Sequence, residues 1–151
     1  GERRVQDYVG RFDYGNRELS GNPGKHDGLT QAWLSSSLAI SPQEQARFLG
    51  KLVSGKLPVS AEAVRRTSTL LRQPDIDGWQ IHGKTGMGYP KLLDGSLNRD
   101  QQIGWFVGWA SKPGKQLIFV HTVVQKPGKQ FASLKAKEEV FAALPDQLKK
   151  L

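Results

Sequence analysis

The feature that most limits the fold is a change of period at Gly78. Before it, apolar residues recur every three or four positions; after it, they alternate. Trp79 and Ile81 point one way and Gln80, His82 and Lys84 the other, the pattern of a strand with one packed and one polar face. Further on, Ile103, Trp105, Val107 and Trp109 alternate with Gly104, Phe106 and Gly108, which reads as a second strand. A third, Gln116 to Val124, is apolar on both faces, as a central strand under helices would be. Between the last two lies Lys112-Pro113-Gly114-Lys115. Proline presets the second turn position and glycine accepts the positive φ of the third, so the chain reverses tightly and the strands pair antiparallel. Lys126-Pro127-Gly128-Lys129 repeats that tetrapeptide and is read as the same turn chemistry used twice.

Helices flank these strands. Val5, Tyr8, Val9 and Phe12 share one face of an opening helix with no capping residue ahead of it, as in a chain cut inside a longer one. Asp13 to Gly28 is dense in Gly, Asn and Asp and forms a long loop. Ser41-Pro42-Gln43-Glu44 is a capping box with proline at the first helical position, so a helix runs from Pro42 to about Val53 and buries Ala46, Leu49, Leu52 and Val53. Ser60 caps another through about Leu71, and a last helix spans about Phe131 to Leu144, ended by Pro145. The layout is α+β in one domain, residues 1–151. Three strands bury both faces only with helices on both sides, and the chain looks short of them, so part of the fold is read as absent.

Composition narrows the function. The apolar share of 37 %, with four Trp and six Phe, exceeds what a disordered chain carries. No apolar run approaches the ~18 residues of a membrane span, so a membrane is not an expected partner. Without cysteine there are no disulfides or thiolate metal sites. The net charge of +8 invites an acidic partner, but Lys112, Lys115, Lys126 and Lys129 sit on turns and no recognition-helix pattern appears. Solvated basic loops are the better reading; a basic nucleic-acid-binding module is the alternative from another class. His26, His82 and His121 are scattered over a loop and two strands, so a metal site is not expected either.

The chemistry concentrates on His82-Gly83-Lys84-Thr85-Gly86. An ammonium and a hydroxyl side by side can hold a carboxylate, and the flanking glycines let a ligand lie against the strand. Lys-Thr-Gly is also a signature triad of active-site-serine penicillin-recognising enzymes. Its context extends the match. Lys84-Thr85-Gly86 followed by Ile103-Gly104-Trp105-Phe106-Val107-Gly108-Trp109 resembles two adjacent strands of class D (oxacillinase-type) serine β-lactamases. Tyr14-Gly15-Asn16 resembles that family's Tyr-Gly-Asn loop, and Ala32-Trp33-Leu34 with the helix after Ser41 resembles its Trp-Leu segment. The four segments occur in the family's order, and the chain looks most like the oxacillinase branch found in Aeromonas.

The resemblance implies the penicillin-recognising fold, an antiparallel sheet flanked by helices, and β-lactam hydrolysis through a serine acyl-enzyme in the periplasm. It implies that Lys84 and Thr85 bind the substrate carboxylate beside Gly86, that Lys84 also helps orient the catalytic serine region, that Met87 lends its backbone N–H as an oxyanion donor, and that Trp33 donates its indole N–H to a carbamylated lysine. Leu34 and Tyr89 would flank the pocket, and Ser133 would assist carboxylate binding, since the region where many class D enzymes carry an Arg reads Ser133-Leu134-Lys135-Ala136-Lys137. No other cofactor is implied. One departure outweighs the rest: Ser-x-x-Lys, which carries the nucleophile and the carbamylated lysine, occurs nowhere in the chain. The chain is therefore expected to be the C-terminal part of a catalytic domain, inactive alone and partnered by its N-terminal portion. A β-lactam sensor domain, slow to deacylate, is the alternative within the same fold.

Overall fold

The alternating segments pair as the period requires. In a computed structural model describing all residues, Gly1–Leu151, strands β1 (Gln80–Gly88), β2 (Gln102–Lys112) and β3 (Lys115–Gln125) form one antiparallel sheet in the order β1-β2-β3. Lys112 pairs with Lys115 and Gly114 has φ 75°, so the Pro-Gly turn makes the predicted reversal. The helices are α1 (Glu2–Phe12), α2 (Gly28–Gln31), α3 (Pro42–Val53), α4 (Ala61–Leu70) and α5 (Ala132–Leu148).

The sheet separates two apolar clusters. On one face Trp79, Ile81, Phe106, Ala110 and Val123 meet Ala136, Val140, Leu144 and Leu148 of α5. On the other, Trp109 packs with Leu49 and Leu52 of α3 and with Leu57 of the segment leading to α4, and Val64 of α4 packs against this cluster. Gly104 permits the first contact: a Cβ there would lie 2.0 Å from the carbonyl carbon of Ala132, so only glycine lets the start of α5 rest on β2. The capping box forms as read, with Ser41 Oγ accepting from Glu44 N at 3.3 Å and Glu44 Oε2 accepting from Ser41 N at 2.8 Å.

Within residues 1–151 β3 lies at one side of the sheet, and its faces are covered by α5 and by α3, as its two apolar faces require. Three expectations need correction. α5 does not stop at Pro145 but continues to Leu148. The interior proline costs about 3 kcal/mol locally, and burial of Leu144 and Leu148 at about 1.5–3 kcal/mol each offsets it. The third buried position of α3, beside Leu49 and Leu52, is Gln45, while Ala46 and Val53 are only half-buried. Finally, His82 on the polar face of β1 is buried, its ring stacked on Trp109 at 4.7 Å with 8° between planes.

Candidate active site

The outer edge of β1 is where the candidate chemistry gathers. Gly83 N donates to Leu71 O at 2.8 Å and Ile81 O accepts from Gln73 N at 2.9 Å, so the odd residues of β1 turn their backbone polar groups away from β2. By the alternation of an antiparallel ladder, Thr85 and Met87 do the same. The covering segment ends at Leu71, level with Gly83, which leaves the outward N–H of Met87 on an open edge. Lys84 lies on the opposite face from Thr85, and its ammonium folds over that edge to Thr85 O at 2.8 Å and Thr85 Oγ1 at 3.3 Å. A cation, a hydroxyl and free backbone donors thus share a few ångströms of strand.

These groups line a cavity of ≈ 350 Å³. Its floor is the face of β2 presenting Ile103, Trp105 and Val107; its rim carries Lys84, Thr85, Gly86, Met87, Gly88 and Tyr89; its far wall is Tyr14, Trp33, Ser35, Ile40 and Gln45. The far wall is built by the Tyr-Gly-Asn segment. Gly15 has φ 55° and a Cβ there would fall 2.0 Å from Ala39 O, so this backbone approach excludes any side chain. Asn16 then bonds along the neighbouring loop, its N donating to Ala39 O at 2.9 Å, its Nδ2 to Ser37 O at 2.7 Å, and its Oδ1 accepting from Ala39 N at 3.0 Å. With that loop fixed, Tyr14 Oη reaches buried Gln45 Oε1 at 2.9 Å. Burial pushes the Tyr14 phenol up, so it stays a neutral donor near pH 7. Lys91 Nζ donates to Ser36 O at 2.7 Å, tying the β1–β2 connection to the Trp33 loop.

Lys84, Thr85, Gly86, Met87, Tyr89, Trp33 and Tyr14 are thus brought together, with Gly15 and Asn16 behind them as supports. Leu34 and Ser133 are not. Ser35 has φ 56°, and the bend it makes turns Ser35 to the cavity while Leu34 is 57 % exposed outside it. Ser133 lies in the first turn of α5, behind Gly104 on the other face of the sheet. Trp33, in the far wall, is 53 % exposed and is not a core aromatic within these residues. Gln45, Ser35 and Trp105 were missed. For Gln45 a signal existed: Gln45, Leu49 and Leu52 fall at i, i+4 and i+7, and a polar residue on a buried stripe calls for a partner.

The comparisons agree with this geometry. Residues 1–146 match the penicillin binding protein transpeptidase domain, and the chain belongs to that family. Within it the relatives are class D, OXA-type β-lactamases. The chain is 43 % identical over 147 residues to β-lactamase OXA-9 of Klebsiella pneumoniae, covering 96 % of this chain and 54 % of that protein. It is 38 % identical to β-lactamase OXA-1 of Escherichia coli, covering 95 % and 51 %. Among solved structures, the class D β-lactamase OXA-427 superposes with a TM-score of 0.96 at 84 % identity, covering 99 % of this chain and 62 % of that one. A class D β-lactamase from Bacillus subtilis gives 0.73 at 32 %, covering 97 % and 53 %. The chain therefore spans about half the length of the curated relatives it matches. No helix is long and apolar enough to cross a membrane.

Proposed function

We propose that residues 1–151 are the C-terminal part of a periplasmic class D β-lactamase, of the kind found in Aeromonas, and that they supply the carboxylate clamp and one oxyanion donor for β-lactam hydrolysis. The observation that carries this is the convergence of Lys84, the open edge at Met87 and Trp33 on one cavity. Lys84 and Thr85 receive the substrate carboxylate as a charge-assisted contact. The Met87 N–H faces the oxygen that becomes negative when a serine attacks the lactam carbonyl, a donor worth about 2.7–4 kcal/mol in a preorganised site. Trp33 offers its indole N–H to a carbamylated lysine, which this reading places in the N-terminal portion together with the serine.

A second cavity supports the need for that portion. It holds ≈ 380 Å³, is lined by apolar residues including Phe12, Phe48, Leu52, Val64 and Trp109, and shares Tyr14, Gln45, Lys84 and Val107 with the first. A segment seated there lies beside Lys84, where the nucleophile has to be. The test is turnover of a chromogenic cephalosporin by the complete protein, these residues joined to a preceding portion with Ser-x-x-Lys, and by the 151-residue chain alone. Turnover by the complete protein only is the expected result. Hydrolysis by the pure 151-residue chain overturns the assignment.

A further inference from the structure

The proposed reaction leaves one half-buried cluster unused. Lys137 of α5 lies 5.6 Å from the ring centroid of Phe141 and 6.0 Å from that of Phe106, and it belongs to none of the molecule's ion pairs. Its ammonium donates to Gln73 Oε1 at 2.7 Å. An ammonium can only donate, so Oε1 must face Lys137 and Nε2 must face the other way. There Nε2 donates to Gly83 O at 3.2 Å and to Leu71 O at 3.5 Å. The backbone of the same segment completes the attachment through Gln73 N to Ile81 O and Gly83 N to Leu71 O.

Gly83 O belongs to the peptide group that joins Gly83 to Lys84, so Gln73 bonds to the very plane from which Lys84 departs. That plane needs an external brace. A Cβ at Gly83 would lie 2.6 Å from Phe106 Cζ, which restricts the position to glycine, the residue with the softest backbone. We propose that Gln73 is a positioning residue: the link Lys137–Gln73–Gly83 sets the orientation of β1 where it enters the site, and with it the direction of Lys84 and of the Met87 N–H. The inference rests on the reading of the cavity as a β-lactam site. It adds residues on the opposite face of the sheet to that site.

The experiment compares Gln73→Leu, Gln73→Glu and Lys137→Met in the complete protein. Gln73→Glu is the decisive variant, because it keeps an acceptor for Lys137 but has no donor for Gly83 O. It is expected to melt close to the unsubstituted protein while kcat for a penicillin falls by about tenfold to 10²-fold, the cost of slight misplacement of reacting groups. Gln73→Leu should lose both stability and kcat, and Lys137→Met should fall between. Unchanged kcat in Gln73→Glu overturns the proposal and leaves Gln73 a plain structural clamp. Should the complete, unsubstituted protein hydrolyse no β-lactam, the site reading fails, and the positioning claim is judged on the backbone amide resonances of Thr85 and Met87. They are expected to shift in Gln73→Glu, and unmoved resonances overturn the claim on that ground too.

Discussion

Gln80–Gly83 and Lys84–Gly88 belong to one strand and pair with β2 without interruption, yet they are finished differently. Ile81, His82 and Gly83 are buried, and Leu71–Gln73 takes up their outward polar groups. Lys84, Gly86 and Met87 are exposed and nothing pairs with their outer edge beyond Lys84's own ammonium at Thr85. A bare edge is ordinarily an aggregation hazard, which a short exposed run and a lysine limit. The same bareness is what a ligand amide or an oxyanion requires. The candidate site lies where the cover stops.

This division can be broken by substitution, and the largest effect belongs to the covered half. Gly108 opposes Gly83 across the ladder, and a Cβ there would fall 2.0 Å from His82 O and 2.8 Å from Gly83 Cα. Backbone cannot yield as a side chain does, so Gly108→Ala in the complete protein should lose about 3 kcal/mol, the upper end for over-packing. At roughly 2–4 °C per kcal/mol, the melting temperature falls by roughly 6–12 °C. A shift under about 2 °C would mean the covered half is pliant. Lys84→Ala in the open half should do the reverse. It is expected to lower kcat/KM for a penicillin by about tenfold to 10²-fold, the ~1.5–3 kcal/mol of a hydrogen bond to a charged group, and to leave the melting temperature in place. If it melted as early as Gly108→Ala, the open half would be structural.

The same boundary separates what was legible in the sequence from what was not. β1, β2, the Pro-Gly turn and the capping box at Ser41 are local and periodic, and they stand where the residues indicated. The ends of elements depend on tertiary contact: α5 passes Pro145 because Leu148 finds the sheet. Lys84 and Thr85 could be singled out because their chemistry is contiguous, whereas Met87 was reached only through the family resemblance of the segment. Leu34 stands outside this cavity because a positive φ at Ser35 turns the chain there, and positive φ at a serine leaves no mark in composition. Gln73 could not be found from spacing, since its partners Lys137 and Gly83 meet only in the folded chain.

The smallest effect tests the seal over the covered half. His82 is buried with its Nδ1 unpartnered, and burial, followed by the charge of Arg72, lowers its pKa below the ordinary 6.5, with Asp75 opposing. The native imidazole thus holds a proton less tightly than the unfolded one. Stability from this group is whole above about pH 6.5 and is lost as pH falls through the interval down to the depressed native value, because the unfolded chain takes the proton first. His82→Phe keeps an aromatic ring against Trp109 but removes the titration, so its melting temperature should fall less than that of the unsubstituted protein between pH 7 and pH 5. Parallel curves would show that a proton reaches this ring as freely as in water. Solvent would then penetrate between Leu71 and β1, and the contrast between the two halves of the strand would lie in their side chains alone, not in the cover over their edge.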